Sequence, residues 1–313
     1  MATACSCDFR GPAESNKKQP KTMAQINHRL PQNVAGEFYV DESCIDCDAC
    51  RQIAPASFRD HGGKSSVYKQ PQNPGELHRA FMALVACPTA SIGTVSNLNA
   101  RSGVASFPVH VVDDVYFCGF TSESSFGAWA YLIVRPPERG GNVLVDSPRF
   151  TAPLVKRIEE MGGVNLMLLS HRDDIADHAK FAAHFRCPRV LHEGEGAATR
   201  GIERVITGTA SIGIDNDLVL IPTPGHTRGH QVFLYRNKVL FTGDHLSWSP
   251  ARNSLKAFRD VCWYSWTEQT HSMEKLLAYH FEWVLPGHGR IGHTTAEEMH
   301  TKLEDCVARM KKQ

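Results

Sequence analysis

Short apolar segments separated by polar loops recur along most of the chain. Runs of four to six residues rich in branched and aromatic side chains predict buried β-strands at 109–112, 115–120, 129–134, 142–146, 164–169, 218–223, 238–242 and 283–286. Between them, residues 151–161, 264–280 and 295–310 repeat apolar side chains at helical spacing, which is typical of a helix that covers a sheet with one face. This alternation predicts an α/β domain over residues 107–313.

Four of the predicted strands end in residues that can bind a metal ion. A strand packed on both faces is a stiff platform, and the loop at its end can aim several short side chains at one point. Imidazoles and carboxylates are the usual protein ligands of zinc, iron and manganese. The candidates at these strand ends are His171, Asp173, Asp174, Asp177, His178, His226, Asp244 and His288. For the first loop alone, the alternative is a solvated segment in which Asp177 caps a helix at 179–184.

The segments SHRDDIADH, PTPGHTRGH, FTGDH and LPGHG, in this order, resemble the metallo-β-lactamase superfamily, particularly its glyoxalase II-like and flavodiiron branches. The resemblance covers roughly residues 110–305 and implies an αββα sandwich with metals along one edge. It implies that Asp244 bridges two ions and that Asp177 and Asp244 are the catalytic carboxylates. The metal ligands carried over by motif position are His171, Asp177, His178, His226, Asp244 and His288.

The first motif of this chain departs from the superfamily. There the pattern is usually His-x-His-x-Asp-His, with the Asp four positions after the first His, whereas Asp177 follows His171 by six positions. Asp173 takes the place of the second His and is a candidate ligand, and Asp174 could equally turn inward. A carboxylate in place of an imidazole shifts the preference from zinc towards iron or manganese. We expect one or two Fe, Zn or Mn ions, with dinuclear iron ahead of zinc.

Three cysteines spaced by two residues follow the short strand FYV. Such spacing can wrap a loop around a soft metal centre, and Cys87, just before Pro88, is the expected fourth ligand. Disulfides and a zinc knuckle are the alternatives. Residues 36–95 resemble a single-cluster bacterial-type ferredoxin, with FYVDESCIDCDACRQIAP leading and ACPTASIG closing. The resemblance implies a small α+β domain with one [4Fe–4S] cluster, whose ligands are Cys44, Cys47, Cys50 and Cys87.

Composition and charge limit the possible locations and partners of the protein. The chain has 313 residues and a formal net charge of +1, so bulk charge predicts no nucleic-acid partner, and the apolar runs are too short to cross a bilayer. Ten cysteines predict a reducing compartment. Residues 1–30 are polar and aperiodic and predict a disordered tail or a targeting segment, which gives the chloroplast or the cytoplasm as location. Residues 96–106 lack apolar periodicity and predict a linker.

The leading functional hypothesis is a hydrolase that cleaves a small ester or thioester with a metal-activated hydroxide. One alternative is a di-iron oxidoreductase that receives electrons from its own [4Fe–4S] cluster, supplied by a redox partner protein. Another is an iron or redox sensor. A small-molecule substrate and a homodimer are further expectations. The aromatic segment 262–266 could pack in the core or line the substrate pocket, and Asp146 could orient a metal-binding His or form a turn before Pro148.

Overall fold

The computed structural model describes residues 23–313. Its N-terminal domain is a small α+β unit in which the first and last strands pair antiparallel around a central antiparallel hairpin. The order strand, helix, hairpin, helix, strand is the one that the ferredoxin resemblance implies. The elements are β1 (Phe38–Val40), α1 (Ala49–Ile53), β2 (Phe58–Asp60), β3 (Ser65–Val67), α2 (Pro74–Ala86) and β4 (Ile92–Thr94).

Helix α2 shows how the local sequence sets the ends of an element. The side chain of Asn73 accepts a hydrogen bond from the backbone N–H of Glu76, and Pro74 occupies the first turn, where it blocks no helical hydrogen bond. The helix ends at Ala86, and Cys87 is extended, because the proline that follows Cys87 disfavours a helical conformation of the residue before it. This stop turns Cys87 out of the helix towards the cysteine loop.

Two predicted irregular segments are partly ordered. Residues 23–30 were expected within the disordered N-terminal segment, but the backbone N–H of Leu30 donates to Val40 O over 2.9 Å and Tyr39 Oη donates to Ala24 O. Residues 1–22, and with them most of the expected tail or targeting segment, lie outside the described residues. The expected linker contains helix α3 (Arg101–Ala105). Gly103 allows α3 to pack directly on α2, since a Cβ there would lie 2.6 Å from the backbone of Phe81.

The C-terminal domain contains two large mixed sheets. In residues 23–313 the first has seven strands and the second six. The strands of the first sheet are β5 (Val109–Val112), β6 (Val115–Phe117), β7 (Tyr131–Ile133), β8 (Val143–Val145), β9 (Leu166–Leu168), β10 (Arg189–His192) and β11 (Arg204–Ile206). Those of the second are β12 (Ile212–Gly213), β13 (Leu218–Pro222), β14 (Gln231–Tyr235), β15 (Val239–Gly243), β18 (Trp283–Pro286) and β19 (Gly292–His293). Neighbouring strands follow the order β11-β10-β9-β8-β7-β6-β5 in the first sheet and β12-β13-β14-β15-β18-β19 in the second. A separate hairpin consists of β16 (Ser247–Ser249) and β17 (Ser254–Lys256).

Helices cover the outer faces of both sheets. The first sheet is covered by α4 (Ala152–Glu160) and α5 (His178–Phe185), and the second by α6 (Trp266–Leu276) and α7 (Ala296–Met310). Strand β14 shows the layering, because Phe233 and Tyr235 belong to the core between the sheets whereas Val232 and Leu234 pack with the residues of α6 and α7. This arrangement is the predicted αββα sandwich preceded by a ferredoxin-like α+β domain.

The two domains contact each other closely. Arg290 Nη2 lies 3.1 Å from Asp48 Oδ2, which joins the cysteine loop to the loop after β18. Gly127 abuts Cys47, since a Cβ at Gly127 would lie 2.6 Å from Cys47 Cβ. Buried apolar residues of both domains also form one continuous cluster. Within residues 23–313, no helix has the length and apolar character needed to span a membrane.

Candidate metal centre and Fe–S site

The metal-ligand candidates come together at one end of the sandwich, just beyond the ends of four strands. His171 follows β9 in the first sheet, while His226, Asp244 and His288 follow β13, β15 and β18 in the second. His171 and His226 are almost completely buried, and Asp244 is 9% exposed. The structure thus brings these four candidate residues together.

One group of atoms surrounds Oδ2 of Asp244. Nε2 of His171 and Nε2 of His226 each lie 3.7 Å from this oxygen. Asp173 Oδ2 lies 3.9 Å from the first nitrogen and 3.8 Å from the second. An ion with tetrahedral bonds of about 2.1 Å spaces its ligand atoms roughly 3.4 Å apart. The atoms of His171, His226 and Asp244 are therefore spaced like the ligands of one ion, and Asp173 lies beside both imidazoles.

A second group surrounds the other oxygen of Asp244. His288 Nδ1 lies 2.7 Å from Asp244 Oδ1, and Asp174 offers an oxygen to the same group. Gly287 makes this convergence possible, because a Cβ there would lie 2.4 Å from Asp174 Oδ2 and 3.1 Å from Asp244 Oδ1. The two groups share Asp244, which gives it the bridging position that the family resemblance implies.

The donor set fits metal ions. Among the described residues, His171 Nε2, His226 Nε2, His288 Nε2 and both carboxylate oxygens of Asp174 are buried without a hydrogen-bond partner. Buried polar atoms normally have partners, because an unpaired one costs roughly 1–3 kcal/mol. Cations would satisfy most of these atoms at once.

Electrostatics in the centre also favour bound cations. Burial lowers the pKa of His171 to about 4, which leaves a neutral imidazole suited to ligation. Burial and the neighbouring charge of Asp244 raise the pKa of Asp174 well above its usual range. Burial also lowers the pKa of His288, but Asp244 and Asp174 outweigh that effect and raise it to about 10. Close, buried carboxylates of this kind are stabilised by positive charge between them.

The structure does not bring Asp177 and His178 into the centre, so their assignment as ligands is corrected. The carboxylate of Asp177 accepts a hydrogen bond from the backbone N–H of Phe150 over 2.8 Å and pairs with Lys180. His178 begins α5, and its Nδ1 lies 3.2 Å from Arg189 Nη1. The chain turns within the two extra residues of the motif, so that Asp174 rather than Asp177 faces His288. Asp177 occupies the position before the first residue of α5, but its side chain makes no capping hydrogen bond, so the alternative prediction of a helix cap is met in position only.

Asp146 orients the first ligand loop through an intermediate residue. Its carboxylate accepts a hydrogen bond from the backbone N–H of Ser170 over 2.7 Å. The hydroxyl of Ser170 in turn lies 2.9 Å from His171 Nδ1. Asp146 thus orients the loop that carries His171 rather than the His171 ring itself. The other ring nitrogen of His171, Nε2, faces Asp244.

Glu195 is a site residue that sequence reasoning missed. Its buried carboxylate accepts hydrogen bonds from the backbone N–H of Arg172 over 3.2 Å and of Gly229 over 3.1 Å, and also from the hydroxyl of Thr227. It therefore joins the loop of His171 to the loop of His226. The only sequence signal is its position between two glycines, one of which, Gly194, packs against the backbone of Gly229.

The four predicted cluster ligands also converge. Cys44, Cys47, Cys50 and Cys87 are all free thiols that line one small cavity. Asp46 and Asp48 adopt left-handed φ angles of 63° and 65°, which let the loop turn between successive cysteines.

The surroundings of these thiols suit an iron–sulfur cluster. The backbone N–H groups of Ser65 and Ser91 donate to the sulfurs of Cys44 and Cys87 over 3.4 and 3.2 Å. Such donors stabilise cluster thiolates. Burial raises the pKa of Cys47 to about 12, so a thiolate here needs a compensating positive charge.

A large cavity extends from the metal-ligand candidates to the cysteine loop, where Cys47 is the cluster-ligand candidate that lines it. It measures about 1560 Å³ and is lined by Cys47 and its neighbours on one side and by Asp173, Asp174, Asp244 and His288 on the other. The aromatic ring of Phe126 stands between them, 6.1 Å from the ring of His288. Trp263, from the aromatic segment 262–266, also lines this cavity and is 61% exposed, so this residue belongs to the pocket wall rather than to the core.

Known proteins show sequence similarity to both the N-terminal and the C-terminal domain of the chain. Residues 40–94 match the family model of the 4Fe-4S single cluster domain of Ferredoxin I. A hydroxyacylglutathione hydrolase of Mesorhizobium japonicum is 30% identical over 120 residues, which are 37% of this chain and 47% of that protein. One from Rhizobium etli is 28% identical over 138 residues, 42% of this chain and 51% of that protein. The chain therefore spans about half the length of the curated relatives it matches.

Solved structures provide further matches. The metallo-β-lactamase from Hirschia baltica is 15% identical, with a TM-score of 0.48 over 64% of this chain and 96% of that one. The subclass B3 metallo-β-lactamase of Bradyrhizobium japonicum is 16% identical, with a TM-score of 0.45 over 65% of this chain and 92% of that one. The chain thus combines a segment that matches the 4Fe-4S single cluster domain of Ferredoxin I with sequence similarity to hydroxyacylglutathione hydrolases.

Proposed function

We propose that this protein is a metal-dependent hydrolase that cleaves a small ester or thioester. The observation that carries the proposal is the sharing of Asp244 between two groups of ligand atoms, one with His171 and His226 and one with Asp174 and His288. The similarity to hydroxyacylglutathione hydrolases supports the same class of reaction. Two divalent ions held here would lower the pKa of water towards neutrality and polarise a carbonyl oxygen.

The residues around the ions have different roles in binding and cleaving the substrate. Asp173 is the most exposed of these carboxylates, with 45% of its side chain accessible, and it lines the cavity. Asp174 is fully enclosed and takes the place that was expected for Asp177 as the carboxylate that holds a proton during bond cleavage. Phe126 and Trp263 line the cavity with apolar rings that a substrate can contact.

The test uses the full-length protein with its cluster and with added zinc, iron or manganese. Hydrolysis of a simple aryl thioester is followed by the release of free thiol, and bound metal is measured in parallel. Asp244→Asn should lose both bound metal and activity, whereas Asp305→Asn, on the exposed face of α7, should retain both. Thioesterase activity that persists in Asp244→Asn would contradict the proposal.

A second candidate is a di-iron oxidoreductase that receives electrons from its own cluster, and one observation favours it. Gly127 packs against Cys47, and the ring of the preceding residue, Phe126, lies 6.1 Å from the ring of His288, so two consecutive residues contact both centres. An external redox partner protein would reduce the cluster, and a small molecule such as O₂ would be the acceptor. Purification without oxygen discriminates the candidates. The oxidoreductase is favoured by about six irons per four sulfides, together with loss of turnover in Cys47→Ser while the second metal site stays occupied. The hydrolase is favoured by four irons with one or two zincs.

A further inference from the structure

The sandwich contacts the ferredoxin-like domain at the end of α2, directly before the cluster-ligand candidate Cys87. The last carbonyl groups of a helix have no partner within the helix. Here two side chains of the sandwich supply donors for them. The hydroxyl of Thr121 donates to Ala86 O over 2.6 Å, and Arg149 Nη2 donates to Val85 O over 3.3 Å. The helix that leads to Cys87 is therefore held from the other domain.

Arg149 is a cation without a countercharge of its own. Among residues 23–313, no carboxylate lies within 4.0 Å of its side-chain nitrogens, and its Nε is buried without a hydrogen-bond partner. The carboxylate of Asp177 accepts from the N–H of Phe150, the next residue in the chain, but it is already paired with Lys180 over 2.7 Å. One buried N–H group and the full charge of Arg149 therefore remain to be compensated.

The electrostatics of Arg149 involve the cluster site. Burial lowers the pKa of Arg149, and negative charge on the sulfur of Cys87 opposes this effect more strongly than the charge of Asp177 does. Cys87 also lies only two residues after Val85, whose carbonyl oxygen the guanidinium contacts. Both observations place the charge of Arg149 beside a cluster ligand.

A fixed charge beside a cluster matters most when the cluster changes its own charge. Uptake of one electron adds one negative charge to a four-cysteine cluster, and the surrounding charges and hydrogen bonds determine how favourable this step is. At an effective dielectric constant of about 20, a unit charge about 10 Å away changes such an equilibrium by about tenfold. A cation stabilises the reduced cluster, because that state is the more negative one.

We infer that Arg149 raises the reduction potential of the iron–sulfur cluster, so that the sandwich domain determines how easily the cluster accepts an electron. The step is the transfer of one electron from an external reductant to the cluster, with no bond formed or broken and no proton moved. The alternative is that Arg149 only caps the carbonyl groups of α2. The inference goes beyond the proposed function, because it holds whether or not the sandwich hydrolyses an ester.

The experiment is a potentiometric titration of the full-length protein with its cluster, purified without oxygen and reduced stepwise with dithionite in the presence of redox mediators. The cluster is followed by its visible absorbance and by electron paramagnetic resonance. Arg149→Gln removes the charge but keeps a side-chain N–H donor, whereas Arg149→Lys keeps the charge. In Arg149→Gln we expect the equilibrium constant for reduction to fall about tenfold, which lowers the potential by about 59 mV for one electron. In Arg149→Lys it should stay within about twofold of the native value.

Two controls separate the charge of Arg149 from packing and from general surface charge. Thr121→Val removes the neighbouring hydrogen bond to Ala86 O at unchanged charge. Arg204→Gln removes an exposed cation from β11, an edge strand of the first sheet. Both variants should keep the equilibrium constant within about twofold of the native value, since one changes no charge and the other changes a charge that solvent screens. Iron and sulfide analysis and thermal melting show whether each variant retains its cluster and its fold.

The two Arg149 variants decide the inference between them. A lower potential in Arg149→Gln with a native potential in Arg149→Lys supports it, and so does loss of the cluster from Arg149→Gln alone, since only that variant lacks the charge. Equal potentials in Arg149→Gln and the native protein would overturn it. An equal fall in potential, or loss of the cluster, in both variants would also overturn it, because the shape of the cap would then be responsible. None of these measurements depends on hydrolysis, so they are independent of the test of the proposed function.

Discussion

Replacing Glu195 by glutamine should loosen the metal centre without touching a ligand. One carboxylate oxygen accepts from the hydroxyl of Thr227 and the N–H of Gly229, and the other accepts from the N–H of Arg172. A glutamine has one carbonyl oxygen, so its amide nitrogen must face N–H or O–H donors on one side. At least one buried, charge-assisted hydrogen bond is lost and one donor is left unpaired.

The magnitude follows from these contacts. A hydrogen bond to a charged group contributes about 1.5–3 kcal/mol, so we expect a loss of about 2–3 kcal/mol in the free energy of unfolding. For a domain of this size that corresponds to a melting temperature lower by roughly 5–10 °C. Loss of a group that orients ligands typically weakens metal affinity about 10–100-fold, because the loops of His171 and His226 are no longer joined.

The assay combines thermal melting of metal-free protein with metal titration against a competing chelator. Glu193→Gln is the matched control, since Glu193 lies two positions away, is exposed and makes a single 3.3 Å contact to the N–H of Gly208. Its melting temperature and metal affinity should stay close to those of the native protein. If Glu195→Gln behaves like Glu193→Gln in both measurements, the bridging role of Glu195 is refuted.

Two further substitutions test the ligand assignment and the contact between the domains. Asp174→Asn should lower the number of ions bound per chain, measured by elemental analysis. Asp177→Asn should keep every ion and lower the free energy of unfolding by about 1 kcal/mol through its lost hydrogen bond. An equal loss of metal in both variants would contradict the corrected assignment. Gly127→Ala should accelerate loss of the cluster, followed by its visible absorbance, because the new Cβ would overlap Cys47. Gly201→Ala carries similar backbone strain at φ 77° but has no atom within 4 Å, so faster cluster loss there as well would point to strain rather than contact.

Sequence reasoning predicted the parts of the site that depend on strand ends. His171, His226, Asp244 and His288 each follow directly after an apolar run, and the order of buried strands brings such positions together at one edge of a sandwich. The choice between Asp174 and Asp177 could not be made in the same way, because it depends on how a loop turns after its strand. Spacing alone leaves that turn undetermined when two residues are inserted.

Two other features depended on contacts distant in sequence. Glu195 reaches the centre from the segment after β10, where neither periodicity nor a motif marks it. Helix α3 was expected to be a linker because its residues are polar and include Gly103, yet that glycine is what allows close packing on α2. In both cases the decisive partner lies more than twenty residues away in the chain, so local patterns carry no information about it.

The ion pair between Asp48 and Arg290 has a thermodynamic consequence. Asp48 lies between two cluster ligands, and Arg290 lies two residues after His288, so each metal site has one of its loops fixed by the other. A ligand that orders one loop lowers the entropy that the neighbouring loop must lose when it binds its own metal. Linkage requires the effect to be reciprocal: if a bound cluster raises the affinity of the second centre for its ions by some factor, those ions raise the affinity for the cluster by the same factor.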